Sequence, residues 1–374
     1  MKRFTYFFIF IFLLISPMRI FAKEEYFSGK VLSLISETKG NNKEGIDKIL
    51  KFEVQILEGA EKGKHIEVEF PVYTEKQYNF TTKIGDKVVL YKSFDSEILE
   101  INEEKETYVE RIDISDIDKR NILSVLFIIF ISATLIVARK KGTKSLIALL
   151  ASLTFIIKIF IPAIAKGHSP ILFAVFTCIF STIVTTFFTT GFSKKTLVAI
   201  LGTTSGVAIA GLMSYSFGNI MRLTGYTDAE VLSYANLISN INLKELVSAG
   251  VIIGSLGAVM DVAVSISSSI NELYENNPKI KGTVLFKSAM NIGNDIIGTM
   301  INTLILAYVG SSILTILLVY IQSAEYPLIR ILNYEDIATE ILRSVCGSIG
   351  ILTAVPLTSY IGTKIYKSKK STTF

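Results

Sequence analysis

The sequence of 374 residues has only two histidines and two cysteines, and it lacks the common motifs for ATP or zinc chemistry. It has no G-x-x-x-x-G-K-[ST] segment, so the chain does not hydrolyse ATP by itself. It has no H-E-x-x-H segment, and both histidines, His65 and His168, lie outside the apolar segments. Zinc proteases and membrane-buried serine–histidine pairs therefore do not fit. No cofactor is expected, metal binding is left open, and an enzyme is not favoured.

The two cysteines, Cys178 and Cys346, both lie inside apolar segments. Residues 23–120 have none, so no disulfide framework is available to that part of the chain. As small apolar residues within packed helices, both thiols are expected to be inert.

Charge divides the chain into two parts. Residues 23–120 contain 22 acidic and 16 basic residues, whereas residues 121–374 contain 11 and 19. The first part reads as a mildly acidic soluble domain and the second as a membrane domain. Because the basic residues of the second part occupy short loops between apolar segments, they predict contact with anionic lipid and no nucleic-acid partner.

The N-terminus has the pattern of a secretory signal. Lys2 and Arg3 precede an apolar core from Phe4 to Ile15, and Ala22 offers a small residue at a cleavage site. Ile20 stands where a small residue is preferred, so residues 1–22 are either a cleaved signal peptide or an uncleaved anchor. Either alternative places residues 23–120 outside the cytoplasm.

Residues 23–120 alternate apolar and polar side chains in short runs, which predicts a small all-β domain. Turns are expected at Gly59, Gly63 and Gly85. Four or five strands in about 90 residues suggest a barrel of the oligosaccharide/oligonucleotide-binding (OB) type. The domain has either a regulatory, docking or substrate-gathering role, with an envelope protein as a possible partner, or is a structural module. The strands are predicted at 29–35, 49–57, 65–72, 87–92 and, less regularly, 107–112.

Residues 121–374 predict about seven membrane-spanning helices, since seven stretches approach the ~20 apolar residues that a span needs. Loops on the side of the C-terminal tail carry 13 Lys and Arg residues, and those on the other side carry five. By the positive-inside rule, the C-terminus is cytoplasmic, the β domain is extracytoplasmic and the protein lies in the plasma membrane. The stretches are 121–138, 145–165, 170–190, 196–218, 246–270, 296–320 and 341–363.

The fifth stretch carries a carboxylate, Asp261, in the middle of an apolar helix. A charged side chain at the centre of a span costs about 2.5–3.5 kcal/mol on insertion scales, so it must face protein or water. Steps of four, seven and eleven residues lead from Asp261 to Ser265, Ser268 and Glu272, which places all four on one helix face.

A second polar stripe is predicted on the sixth stretch, which runs antiparallel to the fifth. Its candidate pathway residues are Asn294, Asp295 and Asn302. If the two stripes face each other, they line a half-channel or cation site in which Asp261 takes up and releases a proton. The alternative is structural, because Ser, Asn and Gly residues on membrane helices often only join helices together.

Three long motifs in the membrane domain resemble those of the YibE/F family of bacterial multi-pass membrane proteins. They occupy residues 257–272, 292–308 and 340–358, and the similarity covers roughly residues 120–365. The resemblance implies an integral membrane protein, and it leaves the substrate open.

The leading hypothesis is a transporter or permease-like protein of the YibE/F type, coupled to a proton or cation and moving a small solute or ion. The alternative is a non-transporting assembly or signalling protein that acts through its extracytoplasmic domain. A third hypothesis, intramembrane proteolysis, needs two carboxylates that share a proton. It is disfavoured because Asp295 is expected several turns away in depth from Asp261.

Overall fold

The computed structural model describes residues 25–40, 45–59, 61–74, 82–95, 109–226, 240–323 and 326–367. Contacts divide the chain into two compact units on either side of residues 133 and 134. The predicted signal peptide or anchor, residues 1–22, lies outside the described residues.

The N-terminal unit contains a five-stranded antiparallel sheet, as the alternating pattern predicts. The strand order is β3-β2-β1-β4-β5, and strands β3 and β5 also contact each other. The long first strand pairs with both β2 and β4, and its register shifts near Val31 and Leu34 mark local irregularities. The strands are β1 (Glu25–Lys39), β2 (Ile46–Ile56), β3 (His65–Tyr73), β4 (Lys87–Asp95) and β5 (Val109–Ile117).

Alternate residues of these strands form one apolar core, because successive side chains of a strand point to opposite faces. Val31, Val54 and Val88 are fully buried there, and Phe52 packs against Phe70 with a ring-centroid distance of 6.4 Å. The domain is therefore held by hydrophobic burial. It has no cysteine to add a cross-link.

Asp118, directly after β5, is the most buried acidic side chain of the N-terminal unit for which exposure is described. Its side chain is 5% exposed and accepts hydrogen bonds from Ser28 Oγ at 3.0 Å and from Arg120 Nη2 at 2.7 Å. The hydrogen bond from the Arg120 guanidinium holds the pKa of Asp118 well below its usual range. This carboxylate is thus fully paired inside the domain.

The rest of the described chain is helical, with a five-residue π-helical turn at Ile156–Phe160. The helices are α1 (Arg120–Phe155), α2 (Ile161–Ala165), α3 (Pro170–Thr190), α4 (Lys194–Ile220), α5 (Leu243–Asn276), α6 (Gly282–Ser311), α7 (Ile313–Gln322), α8 (Leu328–Leu332) and α9 (Glu335–Lys367).

Six helical runs among the described residues are long and apolar enough to cross a membrane. The first, Arg120–Ala165, covers two of the predicted spans in 46 residues. A straight helix of that length would extend about 69 Å, more than twice the hydrocarbon thickness. The run is interrupted at Arg139, which has φ 47° and ψ −127°. The number of seven spans remains a prediction. The interruption at Arg139 lies where a loop was predicted between the stretches 121–138 and 145–165.

Helices α4, α5 and α9 form the centre of the second unit. Glycines let them approach closely: a Cβ at Gly206 would lie 2.8 Å from side chains of both Ala354 and Val259. Buried Ser267 of α5 donates a hydrogen bond to the carbonyl oxygen of Lys195 at 2.6 Å. About half of the most apolar stretch of each of these helices is buried, against 11% for α6.

The predicted bounds of the sixth span are wrong. The prediction placed it at 296–320, whereas α6 begins at Gly282 and ends at Ser311. The polar residues between 291 and 302 lowered the local hydropathy. A helix needs apolar side chains on only part of its circumference, so the polar stripe lies within α6, as predicted, although the predicted bounds left out its first residues.

Candidate functional site

Asp261 lies near the middle of α5, a helix of 34 residues. The helix starts at an N-cap residue, Asn242, whose Oδ1 accepts from the Glu245 backbone N–H at 3.2 Å and whose Nδ2 donates to Glu245 Oε1 at 3.1 Å. At 1.5 Å per residue, Asp261 is about 27 Å from Leu243 and about 22 Å from Asn276. In a helix that crosses a membrane, the region farthest from both ends is where a charge is most costly.

The predicted polar stripe of α5 exists as one continuous face. At about 100° per residue, Asp261, Ser265, Ser268 and Glu272 all lie within about 40° of Gly254 around the helix. All are exposed in the single chain except Ser268, which is partly buried. No heavy atom lies within 4 Å of a Cβ position at Gly257, so this face is open. We call these residues the α5 polar face: Gly254, Gly257, Asp261, Ser265, Ser268 and Glu272.

The polar residues of α6 lie mostly on its outward side. Gly293 marks the packed side, since its Cβ position is 2.3 Å from Val355 Cγ1 and 3.2 Å from Ile266 Cδ1. Asp295 and Asn302 lie about 200° and 180° around the helix from Gly293. Both are exposed. The two predicted stripes therefore do not face each other directly in the single chain.

Among the predicted site residues of α6, Asn294 lies on the side of the helix nearest to the α5 polar face. It lies within about 40° of Tyr308 around α6. The Tyr308 hydroxyl lies 2.6 Å from the Cβ position of Gly254. The contacts of Tyr308 with Gly254 and of Ile266 with Gly293 also set the antiparallel register, which puts Asp261 about level with Thr299.

Within the described chain, no hydrogen bond or ion pair joins any two of the seven predicted site residues. Ser268 Oγ donates to the carbonyl oxygen of Val264 at 2.7 Å, within its own helix. The carboxylates of Asp261, Glu272 and Asp295 have no polar side-chain partner there. Nor do three His, Cys, Asp or Glu side chains converge as a metal site among the described residues.

A second polar cluster, which the sequence did not reveal, lies where α5, α6 and α9 meet. Arg343 Nη1 pairs with Glu340 Oε1 at 2.9 Å, and both side chains are about 70% buried, with exposures of 30% and 28%. Arg343 Nη2 lies 3.9 Å from the Cβ position of Gly250, and Tyr308 approaches from α6. We call Tyr308, Glu340 and Arg343 the α5–α6–α9 cluster.

The predicted bounds put Arg343 at the edge of the seventh stretch, 341–363, and Glu340 only at the start of a motif. The available signal was the opposite charges at i and i+3 at the start of an apolar stretch, a spacing that pairs side chains on one helix face. That spacing is common on solvent-exposed helices. The burial of both side chains and the approach of Arg343 to Gly250 of α5 distinguish this pair from an exposed one.

The sequence model for YibE/F-like proteins matches residues 126–368. The chain belongs to the YibE/F-like family. The matched region contains the α5 polar face, the predicted site residues of α6 and the α5–α6–α9 cluster. No curated protein and no solved structure matches the chain significantly.

Proposed function

We propose that this YibE/F-like membrane protein is a transporter or permease-like protein in which Asp261 binds a proton or cation during movement of a small solute or ion. One observation carries the proposal: an unpaired carboxylate on an open polar face in the middle of a 34-residue apolar helix. A carboxylate at that depth is expected to face water or a partner and not lipid, because lipid exposure costs several kcal/mol.

The surroundings of Asp261 favour water over packing. Gly257 leaves open space one turn before the carboxylate, and Ser265 offers a hydroxyl one turn after it. Residues that only join helices are expected to contact a neighbouring helix, as Ser267 does through Lys195. Apart from Gly254, which packs against Tyr308 of α6, the residues of the α5 polar face make no hydrogen bond to a neighbouring helix within the described chain, so we assign this face to the wall of a hydrated pathway.

Within this pathway Glu272 and Asp295 serve as the relay toward the end of α5 near Asn276, and the uncharged Ser265, Ser268, Asn294 and Asn302 as neutral ligands. The proposal gives the largest role to the site residues of α5 and to Asn294, because Asn294 lies on the side of α6 nearest to the α5 polar face. Asp295 and Asn302 lie on the outward side of α6, so they take part only if that side is also hydrated.

Ion flux in vesicles tests the proposal. The purified protein is reconstituted with pyranine inside to report protons, and sodium and potassium uptake are followed in parallel under an imposed membrane potential. We expect flux of at least one of these ions in wild type and flux at the level of protein-free vesicles in Asp261→Asn. Glu275→Gln, on the same helix, is the matched control, because Glu275 is exposed near its end. Equal flux in wild type and Asp261→Asn would refute the mechanism.

The second candidate function is assembly or signalling in the cell envelope. The outward direction of Asp295 and Asn302 favours it, since polar residues on the outside of a membrane helix suit contact with another membrane protein. It predicts that loss of residues 23–120 abolishes function in cells, whereas Asp261→Asn leaves function intact.

The N-terminal unit fits an extracytoplasmic barrel of the OB type. Its support is the five-stranded antiparallel sheet and the contact between the terminal strands β3 and β5, which a partly open barrel requires. The excess of Lys and Arg toward the C-terminal side supports a plasma-membrane protein with this domain outside and the C-terminus in the cytoplasm. Protease digestion of intact cells tests the orientation: only an external β domain would be removed.

A further inference from the structure

The α5–α6–α9 cluster contains three buried polar atoms that lack a hydrogen-bond partner. They are the Tyr308 hydroxyl oxygen, Glu340 Oε2 and Arg343 Nε. Buried polar atoms are nearly always paired with protein or with ordered water, so three in one cluster require an explanation. The explanation must supply an acceptor for Arg343 Nε and a donor for Glu340 Oε2.

Water is the ligand whose chemistry meets these requirements. One water molecule accepts a hydrogen bond from an N–H and donates to a carboxylate oxygen, and the Tyr308 hydroxyl can do either. The charges of Arg343 and Glu340 compensate each other in their 2.9 Å ion pair. A monovalent ion therefore gains little net attraction at this cluster, whereas a neutral dipolar ligand is well matched.

The cluster is connected to Asp261 along the α5 polar face. Tyr308 packs at Gly254, and Asp261 is seven residues further along the same face, or about 10.5 Å along the helix axis. Gly257 lies between them with no heavy atom within 4 Å of its Cβ position. At about 2.8 Å per oxygen–oxygen hydrogen bond, about three water molecules span this distance.

We infer that Tyr308, Glu340 and Arg343 form a buried water-binding site that passes protons between the Leu243 end of α5 and Asp261. Glu340 takes a proton from water on that side and releases it to water beside Tyr308, from which it moves to the Asp261 carboxylate. No bond other than O–H bonds breaks or forms. Arg343 holds the Glu340 carboxylate in position and is a positioning residue. This relay rests on the proposed function, but the hydration of the cluster does not.

Thiol labelling measures hydration independently of transport. In a background with Cys178→Ala and Cys346→Ala, single cysteines are introduced as Gly250→Cys and Tyr308→Cys. Gly250→Cys keeps all three polar side chains and lies beside Arg343 Nη2. The probe is a charged, water-soluble methanethiosulfonate, which needs a hydrated thiolate to react.

Leu306→Cys is the matched control, two residues from Tyr308 on α6, on the outward side of that helix and 67% exposed. We expect Gly250→Cys and Tyr308→Cys to react at least about tenfold faster than Leu306→Cys, since a lipid-facing thiol does not ionise. Equal, slow labelling of Gly250→Cys and Leu306→Cys in folded protein would overturn the water site, even if Tyr308→Cys failed to fold.

The relay role is tested by the pH profile of proton flux in vesicles. Glu340→Gln is expected to lower the flux and change its pH profile, and Glu340→Asp is expected to restore both in part. A Glu340→Gln variant with unchanged profile would refute the relay. Labelling without proton flux in wild type would refute the relay while leaving the water site standing, and the absence of sodium and potassium flux as well would refute the proposed function. Proton flux without labelling would refute the water site and the relay through it while leaving the proposed function standing.

Discussion

Two aspartates of this chain differ in their burial and in their hydrogen-bond partners. Asp118, in the N-terminal unit, is 5% exposed and accepts hydrogen bonds from Ser28 and Arg120. Asp261, in the middle of α5, is exposed on the helix surface and has no polar side-chain partner among the described residues. A carboxylate whose hydrogen bonds are made within the fold contributes to stability. A carboxylate on a membrane helix without such bonds needs water or another molecule as its partner.

Two glycines of α6 differ in a similar way, because one packs against a neighbouring helix and the other faces open space. Substitution of the packed glycine is expected to have the largest effect on stability. Gly293→Ala would place a methyl group 2.3 Å from Val355 Cγ1, so α6 and α9 must separate. We expect a loss of about 3 kcal/mol, at the upper end for overpacked cores, measured as a lower thermal midpoint in detergent.

The matched control for this substitution is Gly298→Ala, on the open side of the same helix. No heavy atom lies within 4 Å of its Cβ position. Alanine favours helix over glycine by up to about 1 kcal/mol, so an unchanged or slightly higher midpoint is expected. Equal losses at both glycines would contradict the distinction between the packed and open sides of α6.

Removal of the Asp118 charge is expected to have the next largest effect. Asp118→Asn loses charge-assisted hydrogen bonds inside the domain, at a cost of about 2 kcal/mol. Limited proteolysis of the β domain in the full-length protein measures the change. Asp116→Asn is the control, because the Asp116 side chain is 49% exposed in its pair with Lys119 and such surface changes stay within about 0.5 kcal/mol. Equal sensitivity of the two variants would show that Asp118 is not a structural anchor.

The pH dependence of the β domain gives a second test of Asp118. Its folded-state pKa is lowered, so its stabilising contribution is complete above the unfolded-state pKa of about 4 and is lost as the pH falls below that value. The stability difference between wild type and Asp118→Asn should therefore shrink on acidification. A difference that stays constant from neutral to acidic pH would rule out this linkage.

The smallest expected effect is that of Asp261→Asn on stability. Because Asp261 makes no side-chain hydrogen bond within the described chain, its replacement should change the free energy of unfolding by less than about 0.5 kcal/mol. The thermal midpoint should therefore stay nearly the same or rise. Glu340→Gln, which breaks the 2.9 Å pair with Arg343, provides the contrast and should lower it. A large loss in Asp261→Asn would assign this residue a structural role.

Much of the architecture was predictable from local patterns. The predicted stretch 170–190 matches α3, because Ser169 Oγ accepts the N-terminal hydrogen bond of this helix and Pro170 suits its first turn. All five predicted strands are present, since each has the two-residue period of a half-buried sheet. These features depend only on neighbouring residues.

The direction of the α6 polar residues was not predictable, because it depends on which side of the helix packs. The periodicity of Asn294, Asp295 and Asn302 indicated a polar stripe but not what it faces. Gly293, in contact with Val355 and Ile266, sets that direction. The α5–α6–α9 cluster likewise depends on residues more than thirty positions apart, for which a single sequence gives no pairing.

Aqueous modification of Asp261 in the native protein tests the central claim most directly. Membrane vesicles are treated with a water-soluble carbodiimide and a charged amine, and the coupled carboxyl groups are identified by mass spectrometry. The account predicts coupling at Asp261 as well as at the exposed Glu275 near the end of the same helix. Coupling at Glu275 with none at Asp261 would show that no water reaches the α5 polar face, and would contradict the account.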